Sequence, residues 1–462
     1  MLMKLKFLKI EFCLLIILTI GCASSNERDA FDRFHEEERN SYPYVDKSQV
    51  SEVSEQLSEI DENSTPADYL AYAALNNPGL KASFYRWKEA LEKITQSRSL
   101  PDPRFNYTYF IKEVETRVGP QEQKIGLMQT FPWLSKLKFR EKIAVENANA
   151  MQQKYEEARL KLFFQVKKYY YEYYYLERAI DIMRENIELV KYLEEIVRAK
   201  YRTGKEVYAN VVKAELEIDI LIDRLKSLED LRKPVAAKLN EALNRPSDTP
   251  IARLEPVSEK QIEFSEDELI DSLMENNPEL KILDYEIAKE KGGIDLAGMN
   301  YFPDFTIGAE YIDTDEALNN TPDSGKDPVM VMFSINIPIW YDKYRAGEKE
   351  AYAKWRAANN SIIAASNSLI ADVKMAFYQF CDARRRIRLY SNNLIPKGIE
   401  SLEVTQKGFG AGKIDFTDLI DAERAILEFH LSYERALADH AQSLARLEML
   451  TGKDLPAKGV SP

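Results

Sequence analysis

Apolar side chains recur with a helical period along most of this chain, and in four short stretches the period drops to two. In Arg104 to Lys112, Phe105, Tyr107, Tyr109 and Ile111 alternate with Asn106, Thr108, Phe110 and Lys112. In Val329 to Pro338, Val329, Val331, Phe333, Ile335 and Ile337 alternate with Met330, Met332, Ser334 and Asn336. Lys124 to Phe131 and Asp304 to Ile312 supply two further strands, so the pattern predicts two β-hairpins. Their loops are read as the polar segments Glu113 to Gln123 and Asp313 to Pro328.

After each hairpin comes a long helical pattern. Leu134 to Lys200 contains neither proline nor glycine, and a continuous helix of that length spans roughly 100 Å. Its counterpart, Lys349 to Lys407, has one interior proline, Pro396. The segments that follow carry coiled-coil spacing. Ala214, Ile218, Leu221, Leu225 and Leu228 mark one seam, and Ala422, Ile426, Phe429, Tyr433 and Ala436 the other. Pro234 predicts a kink in the first of these helices only. Before the hairpins, helices start at Thr65, with Pro66 in first position, and at Ser265, where Glu268 completes a capping box. They are read as running unbroken to Leu100–Pro103 and Phe302–Pro303. The tyrosines Tyr169–Tyr171 and Tyr173–Tyr175 face all sides of their helix and are read as packing between helices.

These patterns occur twice. Phe409 to Glu423 (FGAGKIDFTDLIDAE) repeats Tyr201 to Glu215 (YRTGKEVYANVVKAE) at an offset of 208 residues. Asn76-Asn77-Pro78 returns as Asn276-Asn277-Pro278 at 200, Pro101-Asp102 as Pro303-Asp304 at 202, and Tyr171 as Tyr378 at 207. A unit of that size is a duplicated module rather than a solenoid repeat. Each glycine, Gly204 and Gly412, is read as the tip of a long helical hairpin, because glycine tolerates the positive φ of a helix terminus.

Composition narrows the function. The net charge of −13 argues against a nucleic-acid partner. The three cysteines, Cys13, Cys22 and Cys381, form no disulfide framework, and the three histidines suggest no metal centre. No nucleotide, zinc or nucleophile motif is present, so neither an enzyme nor a cofactor is expected. Residues 1–21 have the basic start and short apolar run of a signal peptide, and Gly21-Cys22 resembles the end of a bacterial lipobox. Residues 22–64 are then an acylated polar linker, with the repeats at 65–244 and 265–452, a proline-marked linker at 245–264 and a polar tail at 453–462. Four strands with one wholly apolar face either cover the helices or meet lipid. In the second case several protomers are needed to close a barrel.

The order of lipobox, linker and a doubled helix, hairpin, long helix, glycine tip and return helix resembles the TolC-like outer-membrane efflux proteins, including their lipoprotein branch. The resemblance covers roughly residues 65–452 and rests on the doubled NNP, the PD before each hairpin and the doubled tip. It implies a mainly α fold with a β-barrel contribution. Three protomers share a twelve-stranded outer-membrane barrel, and their long coiled helices form a periplasmic tunnel. The protein is then a passive duct for efflux or type I secretion, a homotrimer set in outer-membrane lipid. It opens when a periplasmic adaptor and an inner-membrane pump dock. Gly204 and Gly412 match the docking tips. Asp418 and Asp421, an i, i+3 pair on one helix face, match the carboxylate rings that line the closed entrance and draw cations. Tyr201, Asn210 and Phe409 are the neighbouring gate positions. Asn210 stands where the family often has a latch aspartate, and Ile414 where it has a basic partner, so the family's latch does not carry over. The competing reading is a lipid-anchored periplasmic coiled-coil adaptor or scaffold, but the chain shows no glycine-rich run of short strands of the kind adaptors carry.

Overall fold

The computed structural model describes residues 60–61, 64–262, 264–318, 322–455 and 457–459. Contacts separate Met1–Asn63 from Ser64–Pro462. Cys22 and the signal and linker around it lie outside the described residues.

The second unit begins with α1 (Pro66–Asn76) and α2 (Pro78–Arg98), then β1 (Arg104–Thr116) and β2 (Gly119–Phe131). The long helix α3 (Leu134–Arg202) follows, and α4 (Tyr208–Leu243) returns alongside it. A short strand β3 (Lys260–Ile262) leads into the second repeat, α5 (Glu266–Asn276), α6 (Pro278–Met299), β4 (Phe305–Thr314) and β5 (Val329–Ile335). The helical hairpin of this repeat is α7 (Tyr341–Leu389), a π-helical turn (Tyr390–Leu394), α8 (Ile395–Gly410) and α9 (Phe416–Thr451), and β6 (Ala457–Gly459) follows.

The helices expected to run unbroken from Thr65 and Ser265 are each two helices. Asn77 closes α1 and caps α2, its Oδ1 accepting from the Leu80 N–H at 3.0 Å. Asn277 does the same for α6, accepting from Glu279 and Leu280. The proline that follows has no N–H to give and sits at the first helical position, where none is needed. The other side of each amide explains why the motif is doubled. Asn77 Nδ2 donates to the Ala242 carbonyl at 3.0 Å, and Asn277 Nδ2 to the Leu450 carbonyl at 2.8 Å. Each repeat thus pins the end of its own last helix. The expected capping box of Ser265 and Glu268 forms on α5, and Thr65 and Asp68 form a second one on α1 that was not anticipated.

The four hairpin strands form one antiparallel sheet in the order β1-β2-β4-β5. The two repeats meet at β2 and β4, where Phe131 pairs with Phe305 and their rings stack at 5.5 Å. The first hairpin is longer than its alternation suggested. Both strands continue through the segment read as loop, to a tight turn at Thr116–Gly119. One face carries Phe105, Tyr107, Leu127, Ile307, Tyr311, Val331 and Phe333, all exposed. Ile111 is 93% exposed and Val331 80%, so helices do not cover this face. The other face carries Lys124 paired to Glu310, and Thr130 bonded to Thr306.

Asp304 of the doubled PD joins sheet to helix. Its Oδ1 accepts from the Trp133 N–H at 2.9 Å and from Lys136 Nζ at 2.8 Å, at the first turn of α3. From there α3 runs for 69 residues. Most of the tyrosine cluster is buried, with Tyr170 edge-on to Tyr69 at 5.3 Å and Tyr174 donating to Glu434 at 3.1 Å. It packs neighbouring helices on several sides at once. The lone Cys381 is half-buried against a core of α5, α7 and α9. The helix α4 runs through Pro234 without interruption. The counterpart of α3 does not stay α-helical, because the chain passes through the π turn just before Pro396. Pro396 cannot bond back into the ladder, and a wider turn relieves its clash with the preceding carbonyls. Within the tail, β6 pairs with β3.

Candidate functional site at the helical tips

The two tips close in the same way. At the end of α3 the Gly204 N–H bonds to the Tyr201 carbonyl at 2.9 Å, and Lys205 to Lys200 at 2.9 Å. At the end of α8 Gly412 bonds to Phe409 at 3.1 Å and Lys413 to Gly408 at 2.9 Å. Each set includes the six-to-one bond of a Schellman motif. Gly204 and Gly412 adopt φ of +71° and +69°. A Cβ at either would meet nothing within 4 Å. Backbone conformation, not lack of room, requires these glycines, and the surface above them is open. Gly408 differs, because the side chain of Ile414 lies where its Cβ would be. Ile414 is therefore part of the packing of the tip.

The tip core joins both repeats. Phe409 is 3% exposed and Phe416 fully buried, and their rings lie 5.5 Å apart among Val197, Val211, Leu419 and Leu427. Lys200 of α3 stands 3.9 Å over the Phe409 ring and donates to its carbonyl. Phe409 is thus a core residue that ties the α8 tip to α3. Tyr201 remains at the surface, 44% exposed, tilted against Tyr208 at 5.3 Å. Asn210 is buried and donates to Glu206 on its own tip at 2.9 Å.

Asp418 and Asp421 are exposed on one face of the first turns of α9, which Asp415 caps. They differ in company. Asp421 Oδ1 lies 3.4 Å from Arg424, whereas Asp418 makes no ion pair among the described residues. Arg424 also reaches across to α4, where its Nε donates to Glu217 Oε2 at 2.9 Å. Glu217 is 3% exposed, so its charge needs that guanidinium. Lys213 donates to Thr417 at 2.8 Å and Arg224 to Glu428 at 2.6 Å. Three polar contacts therefore tie α4 to α9.

Behind this row lies Glu423, fully buried and in contact with the amide of Asn186 on α3. Burial is the main reason its carboxyl is pushed up to about 7. The Asn186 amide and Arg424 act in the opposite sense, and Glu217 adds to the rise. Neither Asn186 nor Glu217 stood out in the sequence. The one available signal was that Glu423 ends the repeated tip, with Glu215 as its twin. Among the described residues no group of histidine, cysteine or acidic side chains is placed to hold a metal ion. No described helix is long and apolar enough to cross a membrane.

The duplication agrees with what the chain resembles among known proteins. Vibrio cholerae TolC is 22% identical over 407 residues, covering 84% of this chain and 90% of that protein. CzcC of Cupriavidus metallidurans, a cobalt-zinc-cadmium resistance protein, is 19% identical over 186 residues, 43% of its length. The crystal structure of VceC from Vibrio cholerae superposes with a TM-score of 0.71 at 14% identity, over 84% of this chain and 96% of that one. The open-state MtrE channel of Neisseria gonorrhoeae superposes with a TM-score of 0.67 at 18% identity, over 84% and 89%. The sequence profile of the outer membrane efflux proteins matches residues 70–244 and 269–453, one segment per repeat. The chain belongs to the outer membrane efflux protein family.

Proposed function

We propose that three copies of this outer-membrane efflux channel close one barrel and one helical tunnel, forming the exit duct of a tripartite efflux or type I secretion system. The observation that carries this reading is the sheet β1-β2-β4-β5. Its outer face is apolar and open, and the outer edges of β1 and β5 are unpaired among the described residues. Open edges and an apolar face are untenable in water and become useful once identical sheets join edge to edge in lipid. Four strands are too few to close a barrel, and three sets make twelve.

In this arrangement the hairpins α3–α4 and α8–α9 reach into the periplasm, and their bare glycine tips meet the adaptor that brings the inner-membrane pump. Asp418 and Asp421 face the axis at the narrow end. Three copies of each give six carboxylates, a ring that favours cations. The Asp421 charges are partly offset by Arg424. The contacts of Lys213, Arg224 and Arg424 between α4 and α9 hold the tip shut until docking separates them. Cys22 is the acylated anchor in the outer membrane.

The test is the conductance of the purified, detergent-extracted protein in a planar bilayer, with its mass measured alongside. A trimer that gives a small, cation-selective and mostly closed pore supports the duct. A water-soluble monomer or dimer without conductance overturns it.

A further inference from the structure

Glu423 is a buried acid that neither the barrel nor the carboxylate ring uses. It is 0% exposed on α9 and faces Asn186 of α3, which is 8% exposed. Asn186 Nδ2 donates to Glu423 Oε1. The other two atoms of the pair, Asn186 Oδ1 and Glu423 Oε2, are both buried acceptors without a hydrogen-bond partner among the described residues. Two unsatisfied acceptors in one contact are costly in a packed core. A single proton removes both deficits. Placed on Oε2, it makes that oxygen a donor to Asn186 Oδ1, and the acid and the amide then exchange two hydrogen bonds.

We propose that Asn186 and Glu423 form a proton-operated clasp between the two repeats, closed when Glu423 is protonated and loosened when it is ionised. The groups around it define its response. Glu217 on α4 repels a charge on Glu423, and Arg424, next to it on α9, attracts one while bound to Glu217. From α3 it meets the neutral Asn186, and the described residues of α8 make no hydrogen bond or ion pair with it. Burial outweighs the rest and lifts the carboxyl from its ordinary 4.5 to about 7. A raised value means that the folded chain holds this proton more tightly than the unfolded chain. The stabilisation is therefore complete below about pH 4.5 and is lost as the pH rises through about 7.

The helix bearing Glu423 also bears Asp418 and Asp421. If those residues line the entrance as proposed above, the clasp sets how firmly the entrance stays shut, and a neutral or alkaline periplasm eases its opening. That consequence rests on the duct reading, whereas the clasp itself does not.

The test uses the full-length protein in detergent and its thermal unfolding midpoint between about pH 5 and about pH 8. Glu423→Gln is close in shape, uncharged at every pH and able to donate to Asn186 Oδ1. The midpoint of the variant minus that of the wild type should be near zero at the acid end. It should rise in favour of the variant toward the alkaline end and level off above about 7. Other carboxylates cancel in this difference. A difference that does not change with pH overturns the clasp. Asn186→Leu leaves the acid in place and removes the amide it pairs with, so the midpoint lost relative to the wild type should be larger at the acid end, where the clasp is closed, than at the alkaline end. A loss that is equal at both ends, or larger at the alkaline end, also overturns the proposal. Single-channel recordings over the same range then separate the two readings. If the clasp passes both thermal tests but wild type and Glu423→Gln open alike at every pH, the clasp stands and its link to the gate falls.

Discussion

Gly398→Ala tests how tightly the second hairpin is packed just beyond its π turn. Gly398 is buried on α8, and a Cβ there would lie 2.9 Å from Ile426 Cδ1 and 3.2 Å from the Phe429 ring. Two effects oppose each other. Alanine favours an interior helical position over glycine by about 1 kcal/mol. Forcing a methyl into a filled core costs about 1–3 kcal/mol. The 2.9 Å approach is too close to leave Ile426 in place, and that side chain is only 6% exposed, so it has little room to yield. The steric cost should win, leaving Gly398→Ala less stable than wild type by about 1 kcal/mol. Ile426→Val removes the very atom in conflict, Cδ1, and alone should cost about 1 kcal/mol for the space it leaves. Together they should fit, because the new methyl takes up the space of the lost one. The double variant should be more stable than the sum of the singles predicts by about 1 kcal/mol or more, since the two sites touch. Thermal or denaturant unfolding of the four proteins, followed by circular dichroism, reads this cycle. Strict additivity, or a Gly398→Ala protein more stable than wild type, would refute the reasoning.

Gly204→Ala and Gly412→Ala should each destabilise their tip by about 1–2 kcal/mol through the positive φ alone, and Gly412→Asn by less. Hydrogen exchange of the tip amides reads this, and an alanine variant exchanging like wild type would remove the conformational argument. Asp418→Ala with Asp421→Ala should move the bilayer reversal potential under a salt gradient toward zero. Asp418 should account for more of the change than Asp421, which is already paired with Arg424. An unchanged potential would take these residues off the conduction path. Val331→Arg, on the bare apolar face, should cost about 2–4 kcal/mol if that face meets the bilayer core. Ser334→Arg on the opposite face should be tolerated. Recovery of each in the outer-membrane fraction decides, and equal recovery would place β5 away from lipid.

Much of the architecture could be read from the chain because it rests on local periodicity. The alternation of Phe105 to Ile111 and Val329 to Ile337 marked the hairpins, and the absence of proline and glycine between Leu134 and Lys200 marked the long helix. Both tips were legible because glycine at positive φ has few substitutes. The breaks at Asn77 and Asn277 were written in the same letters but not read, since one residue ends a helix and caps the next. The β3–β6 pairing and the extension of the first hairpin lack a strong alternation of their own. The polar contacts at the tip could not be read at all. Asn186 and Glu423 are 237 positions apart, and Arg424 and Glu217 are 207 apart. A lone asparagine or glutamate on a helix looks solvated until the fold brings its partner. That Phe409 packs inward under Lys200 was likewise not visible in the sequence.

The π turn at Tyr390–Leu394 also accounts for a discrepancy in length between the repeats. Tyr171 and Tyr378 are separated by 207 residues, Gly204 and Gly412 by 208, so the second repeat has gained one residue between these landmarks. In an unbroken α-helix that residue would push everything beyond it about 1.5 Å further along and turn it by about 100°. Every apolar position of α8 would then leave its seam. A wider turn takes up the extra residue where it arose, and the residues on either side keep their phase. The duplicated arms could thus diverge in sequence length while their tips still end side by side, a tolerance that a strict heptad repeat would not have allowed.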